Sequence, residues 1–279
     1  MATLSGSARV AGIAGWPVAH SRSPRIHGFW LERYAIDGAY VPLPIRPERF
    51  RAAVRGLMAA GFAGINVTIP HKRVAFEICD SVDETARHSG AVNTITFRDG
   101  KIEGRNTDGL GFLADLRGHG VDPAAGPVLI LGAGGAARAL AAIFQALGVR
   151  VTIANRSTDR AQALGRDLAG LQILEWQQRS DALRDQALLV NTTPLGMPGY
   201  PELELDLGRG DPTLVVADLV YVPLETRLLK AARARNLLGV NGLGMLLYQA
   251  CPGFAAWFGS EPVVDEDLRR FVAADLIDQ

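Results

Sequence analysis

The sequence predicts an α/β protein folded as two lobes, and three observations carry that expectation. Its 279 residues exceed a single core of roughly 100–200 residues. Apolar strand-like runs alternate with helical patterns twice, the second series restarting after a Pro/Gly-rich joint at Gly118–Pro127. In that second series the strands are continuously apolar, as in a parallel sheet covered by helices on both faces.

Arg9–Gly15 reads as a strand and Pro24–Tyr34 as a helix, with Ser23 as N-cap and Pro24 in its first turn. Tyr40–Ile45 is a second strand. Pro47–Ala60 follows as a helix, because Phe50, Val54, Leu57 and Met58 recur at helical spacing. Ile65–Ile69 gives a third strand, Val74–Cys79 and Asp83–His88 short helices, and Val92–Phe97 with Ile102–Arg105 a hairpin around Asp99-Gly100. A helix at Leu110–Arg117 leads to the joint. Beyond it, the strands Val128–Leu131, Val151–Ala154, Leu188–Asn191, Leu214–Leu219 and Leu238–Val240 alternate with helices at Ala136–Leu147, Arg160–Leu168 and Glu225–Ala234. Two final helices, Met245–Phe258 and Asp265–Ile277, are expected to return to the first lobe. The first domain is therefore drawn at 1–108, completed by 245–279, and the second at 109–244.

Composition narrows the function. With 48% hydrophobic and 21% charged residues the chain has ample material for a packed interior. Basic and acidic residues both number 29, so no general field favours nucleic acid or an anionic membrane, and any anion needs a local site. Val128–Val149 and Leu237–Phe258 are interrupted by glycines and polar residues, so neither is an apolar span of about 20 residues. Cys79 and Cys251 cannot build a disulfide framework, and no charged segment with an apolar core and cleavage site precedes residue 30. The cytoplasm is the expected compartment. The five histidines show no ligand spacing, so no metal is expected.

Leu131-Gly132-Ala133-Gly134-Gly135-Ala136-Ala137 follows a strand and opens a helix, placing small residues where a dinucleotide fingerprint needs them. Gly132 permits the tight turn, Gly134 lets backbone N–H groups approach a pyrophosphate, and Ala137 allows close helix–strand packing. Asn155 stands where an NAD site usually carries an acidic residue for the ribose hydroxyls. Arg156, Ser157 and Arg160 follow, and two guanidinium groups four positions apart at a helix start suit a 2′-phosphate. Two such charge-assisted contacts are worth roughly 10²-fold in favour of NADP. The plainer alternatives are an ordinary glycine turn and two solvated arginines.

Three of the 29 basic residues are lysine, so Lys72 is a marked choice. It ends Asn66-Val67-Thr68-Ile69-Pro70-His71-Lys72, where an apolar strand runs into a proline-stiffened turn at the carboxyl edge of a sheet. Hydride transfer needs a group that polarises a carbonyl and exchanges a proton, and Asp108, past the end of another strand, supplies a carboxylate to hold that ammonium. A free lysine titrates near pH 10.4; burial lowers that value and a carboxylate raises it. An ordinary surface ion pair is the alternative. Ser21 and Ser23 flank Arg22 at a helix start, Asn93 begins a strand, and Tyr221 and Gln249 lie late in the chain; each is a candidate ligand for a carboxylate or hydroxyl, or else a cap, turn or core-edge residue.

Taken in order, these strings resemble the shikimate dehydrogenase family nearly end to end: His20-Ser21-Arg22-Ser23-Pro24 with His27, Asn66–Lys72, Ala91–Thr94, Asn106-Thr107-Asp108, Gly132–Ala137, Asn155-Arg156-Ser157, Asn191–Met197, Asp218–Tyr221 with Pro223-Leu224-Glu225-Thr226, and Gly242-Leu243-Gly244-Met245-Leu246 with Gln249. The resemblance implies an N-terminal substrate lobe and a Rossmann-like NADP lobe. It implies reversible reduction of 3-dehydroshikimate to shikimate by NADPH, a step of aromatic amino-acid biosynthesis. By it, Lys72 and Asp108 are the catalytic pair, and Ser21, Ser23, Thr68, Asn93, Tyr221 and Gln249 meet the substrate. Gly132, Ala133, Gly134, Gly135, Ala136, Asn155, Arg156, Ser157 and Arg160 hold NADP, and Leu219, Gly242 and Met245 line its nicotinamide side. The partner is a small molecule, not nucleic acid or membrane, and the chain acts as a monomer or homodimer. The sequence departs from the pattern at Gly28, where Asn is usual, at His71, where Phe is common, and at Asn241, where an acidic residue is frequent. A quinate/shikimate dehydrogenase using NAD is the alternative enzyme; a non-catalytic NADP-binding sensor is the alternative of another class.

Overall fold

The computed structural model describes residues 3–276. Its residues fall into two compact units. One runs to Asp108 and takes in Leu247–Val272, and the other spans Gly109–Leu246 together with the described residues 273–276.

In the first unit, β1 (Arg9–Gly15) lies between β2 (Gly38–Pro44) and β3 (Gly64–Val67), parallel to both, with α1 (Ser23–Arg33) and α2 (Phe50–Ala59) in the crossovers. A short α3 (Lys72–Ile78), β4 (Ser81–Val82) and α4 (Glu84–Ser89) precede the hairpin of β5 (Thr94–Arg98) and β6 (Lys101–Arg105). The sheet order is β2-β1-β3-β5-β6-β4, and β5 runs antiparallel to β3 and β6. At the hairpin, Asp99 and Gly100 both have positive φ, 51° and 72°, as a two-residue turn between right-twisted strands requires. One face of this sheet packs Ala14, Ile65, Val67 and Ile95 against Phe50, Val54 and Ala75. Against the same strands packs α10 (Cys251–Phe258), whose buried Trp257 donates its indole N–H to the Ile95 carbonyl at 3.0 Å.

All but the first residue of α5 (Asp108–Gly118) belongs to the second unit, which carries six parallel strands: β7 (Val128–Leu131), β8 (Val151–Asn155), β9 (Gln172–Glu175), β10 (Leu188–Asn191), β11 (Val215–Asp218) and β12 (Gly239–Asn241). Their order is β12-β11-β10-β7-β8-β9, two three-stranded halves wound outward from β7, which is the doubly wound nucleotide-binding topology. Strand periodicity is visible in β7: Val128 and Ile130 join Leu140, Ala141 and Phe144 of α6 (Gly135–Ala146), whereas Leu129 and Leu131 face Leu228, Leu229 and Ala232 of α8 (Arg227–Ala234). Burial on both faces is why these strands read as unbroken apolar runs. The remaining helices are α7 (Thr158–Asp167), α9 (Gly242–Tyr248) and α11 (Glu266–Ala273). Among the described residues no helix is long and apolar enough to cross a membrane.

Several sequence expectations are corrected. The helix expected over Met245–Phe258 is two, because Pro252 in the first turn of α10 has no N–H to donate and its ring blocks the carbonyl of Tyr248, where α9 ends. Ser23 lies inside α1, whose N-cap is Arg22, and the backbone N–H of Ser23 donates to the Oγ of Ser21 at 3.3 Å. Two edge strands, β4 and β9, have no counterpart in the sequence reading. Residue 277 of the expected last helix, and residues 277–279 of the expected first domain, lie outside the described residues, as do residues 1–2.

Candidate active site

Because β1 and β3 are parallel and register Ala14 against Val67, the loops that follow them emerge at one sheet edge. The antiparallel β5 starts at that edge and β6 ends there, with Asn66 opposite Thr94 and Thr94 opposite Arg105. Ser21, Thr68, Asn93 and Asp108 therefore follow or precede strand ends on the same side of the sheet. Lys72 opens α3, and its Nζ lies 2.5 Å from Oδ2 of Asp108. The Lys72 carbonyl accepts from the Val92 N–H at 2.9 Å, so the residue is tied at its backbone and at its tip.

The carboxylate is held on its other oxygen as well. Asn93 Nδ2 donates to Asp108 Oδ1 at 2.7 Å and to Thr107 Oγ1 at 3.0 Å, while Asn93 Oδ1 accepts from the Thr107 N–H at 2.9 Å. Thr107 Oγ1 donates to the Gln249 carbonyl at 2.8 Å, and Asn93 Nδ2 stands 3.5 Å from Gln249 Oε1. Asn93, Thr107 and Asp108 are buried and Lys72 only half-buried, so the ammonium is the exposed end of a satisfied buried network. His71, where the sequence departs from the family pattern, is buried and stacked on Phe50 at 4.4 Å, with Nε2 2.7 Å from the Ile45 carbonyl; burial holds its pKa below the usual value. Gly28 has open space where a side chain would stand.

Behind this edge runs a line of polar groups to which the sequence reading assigns no role. Tyr40 donates its hydroxyl to Asn66 Oδ1 at 2.6 Å, and Asn66 Nδ2 donates to the Asn93 carbonyl at 3.2 Å and to Thr94 Oγ1 at 3.1 Å. His27 stacks on Tyr40 with ring centres 3.9 Å apart, and complete burial pushes its pKa down to about 3, so the ring is neutral at any working pH. The signal was present: Asn66 is the only polar residue of the four in β3, all of them buried.

In the second unit, Gly132 has φ +116°, and a Cβ there would stand 2.5 Å from Thr192 Oγ1, so only glycine fits the turn. Gly134 caps α6 without any side-chain bond, and Gly134 and Gly135 would have nothing within 4 Å of an added Cβ. Exposed N–H groups at the start of a 12-residue helix, with a cleared approach, fit a pyrophosphate. Asn155 ends β8, its Nδ2 donating to the Ser157 carbonyl at 2.8 Å. Ser157 caps α7, its Oγ accepting the Arg160 N–H at 3.4 Å, which leaves its hydroxyl proton to donate elsewhere. Arg156 and Arg160 are exposed, and neither guanidinium makes an ion pair among the described residues. By contrast Arg138, in α6, is committed to Asp167. Leu219 and Gly242 lie side by side, and Met245 packs against the core of this unit. Tyr221 also belongs to this unit, whereas Gln249 belongs to the first. Among the described residues no three His, Cys, Asp or Glu side chains gather to hold a metal.

Fold and sites together define a class, the pyridine-nucleotide-dependent α/β oxidoreductases with a lysine–carboxylate pair. Residues 13–95 match the family described as shikimate dehydrogenase substrate binding domain, and residues 121–194 match that described as shikimate/quinate 5-dehydrogenase. The shikimate dehydrogenase (NADP(+)) of Acidiphilium cryptum is 64% identical over 98% of this chain and 99% of that protein. That of Paramagnetospirillum magneticum is 53% identical over 96% and 99%. The crystal structure of shikimate 5-dehydrogenase from Thermus thermophilus in complex with NADP(H) and shikimate superposes with a TM-score of 0.86 at 35% identity, covering 96% of this chain and 99% of that one. The chain belongs to the shikimate dehydrogenase family.

Proposed function

We propose that this protein is an NADP-dependent shikimate dehydrogenase in which Lys72 is the proton donor and Asp108 holds it in place. When bound, the dinucleotide supplies or accepts the hydride. The observation that carries the assignment of roles is the 2.5 Å contact between Lys72 Nζ and an Asp108 carboxylate that Asn93 grips on its second oxygen. An ammonium oriented in this way protonates the alkoxide as a substrate carbonyl is reduced, and it takes the hydroxyl proton back in the oxidative direction. Asp108, held by Asn93 on its other oxygen, fixes the Nζ position.

The first unit is the substrate domain. Ser21, Ser23, Thr68, Asn93 and Gln249 bind the carboxylate and hydroxyls of shikimate, with Tyr221 as a further ligand. The second unit holds NADP: Gly132, Ala133, Gly134, Gly135 and Ala136 at the pyrophosphate, Asn155, Arg156, Ser157 and Arg160 at the 2′-phosphate, and Leu219, Gly242 and Met245 along the nicotinamide. Support for NADP over NAD comes from two guanidinium groups without an ion pair among the described residues and from Asn155, a neutral residue that leaves a phosphate unrepelled. The enzyme works in the cytoplasm as a monomer or homodimer.

Steady-state assay of shikimate and quinate, each with NADP and with NAD, tests the reading. Turnover greatest with shikimate and NADP is expected; greatest turnover with quinate and NAD would replace it by the alternative enzyme, and absence of turnover in every combination would leave a binding protein.

A further inference from the structure

Asp218 ends β11, and no role above requires it. It is 1% exposed, yet its carboxylate faces three hydrogen-bond donors. Oδ1 accepts from Asn191 Nδ2 at 2.8 Å and from the Val220 N–H at 3.1 Å, while Oδ2 accepts from Thr226 Oγ1 at 2.7 Å. Each donor belongs to a different segment. Asn191 ends β10, and its Nδ2 also donates to the Leu195 carbonyl at 3.2 Å, closing the turn after that strand. Val220 lies in the loop after β11, and its carbonyl accepts the Gly242 N–H at 3.1 Å. Thr226 is the N-cap of α8, accepting from the Leu229 N–H at 3.3 Å.

One carboxylate thus joins the ends of two neighbouring strands to the starts of α8 and, through Val220, α9. The junction is tight at its far end: a Cβ on Gly242 would lie 2.0 Å from the Leu219 carbonyl oxygen, so any drift of the Val220 loop moves Leu219 and Gly242 together. No cation compensates the buried charge among the contacts of Asp218, and burial, with Glu202 adding to it, pushes its pKa up to about 6. A charge kept at that cost in a core-edge position serves a purpose other than stability.

We propose that Asp218 is a positioning residue for hydride transfer, setting the Leu219–Gly242 wall against which the nicotinamide end of the dinucleotide rests. The inference rests on the assignment of that wall in the proposed function. Asp218 touches neither substrate nor dinucleotide; it acts through the loop it anchors.

The test uses the full chain carrying D218A or D218N, the latter keeping the shape and two acceptor contacts. Three quantities are read: kcat with its primary deuterium isotope effect using C4-deuterated NADPH, KM for shikimate, and the affinity of adenosine 2′,5′-bisphosphate, which carries the phosphate end and no nicotinamide. D218A is expected to lower kcat about tenfold or more with a larger isotope effect, and D218N to lower it less. Shikimate KM and bisphosphate affinity should stay within about twofold of wild type. Should D218A fail to fold, T226V, which removes the Oδ2 contact together with the α8 cap and leaves both Oδ1 contacts, takes its place, with an expected fall in kcat of about threefold. Unchanged kcat and isotope effect, or an equal loss of bisphosphate affinity, would overturn the inference. Wild-type protein that turns over shikimate with NADP while D218A matches it would sink this inference alone; wild type without that turnover would sink the proposed function.

Discussion

The two candidate sites are built on opposite plans. Around Lys72 nearly every polar atom is already spoken for: Asp108 is gripped on both oxygens, Asn93 and Thr107 bond each other, and Gln249 is tied in from the end of the chain. Around the glycine turn the arrangement is open, with a helix N-terminus lacking any side-chain cap and two exposed guanidinium groups without an ion pair among the described residues. A group that must present one proton at one point gains by being fixed in advance, since a displacement of about 1 Å can cost on the order of 10²-fold in rate. A group that must attract a dianion gains by leaving its charge unspent, because the ligand is the missing partner.

The contrast is broken most sharply at Lys72. Lys72→Ala should lower kcat by roughly 10²–10⁴-fold with little change in dinucleotide binding, as loss of a general acid does; unchanged turnover would move the proton transfer elsewhere. Next in size is the titration of Asp218. Its carboxyl is raised from an ordinary 3.8 to about 6, so the folded state binds more protons than the unfolded chain between those values. Stability should therefore rise as the pH falls from about 6 towards 4, relative to D218N, by on the order of 3 kcal/mol. Urea unfolding of the pair at about pH 4 and about pH 7, near the foot of that window and above it, reads the difference; parallel curves would show that Asp218 ionises normally. Arg156→Ala should raise KM for NADP by about tenfold or more and leave KM for NAD nearly unaltered, the gap narrowing at high salt. Equal changes for the two dinucleotides would disprove the phosphate clamp. Smallest is Ser157→Ala, which removes the N-cap of α7 and should cost about 1 kcal/mol in thermal or urea unfolding.

What the sequence showed of this molecule follows the physics of each part. β7 is legible at both ends because it is buried on both faces and bounded by Pro127 and Gly132. β9, with sequence Gln-Ile-Leu-Glu, is an edge strand whose residues are mostly exposed, so no apolar run marks it. α9 and α10 merge in the hydropathy pattern and separate only through the backbone geometry of Pro252. Lys72, Asp108 and the glycine turn stand out as unusual residue types at strand ends. Asn66, Thr107 and Asp218 do not, because a buried hydrogen bond is a property of pairs: which donor meets which acceptor depends on strand register, and register is a tertiary fact. Ser157 lies between, its capping role readable in the sequence pattern but overlooked beside its neighbouring arginines.

The register of the β5–β6 hairpin links the catalytic pair to a place far from it. Arg98 faces Lys101 across the Asp99-Gly100 turn, and the same ladder sets Thr94 against Arg105, three residues before the aspartate. Five strand residues separate turn from site, roughly 17 Å of chain. Adding one residue at the turn would slide β6 along its partner by roughly 3.4 Å and carry position 108 out of reach of the lysine, whereas residues added within the exposed Ser5-Gly6-Ser7 segment would disturb no ladder. Length changes should thus be forbidden at one remote surface loop and permitted at another, an asymmetry that an insertion scan of active clones would map directly.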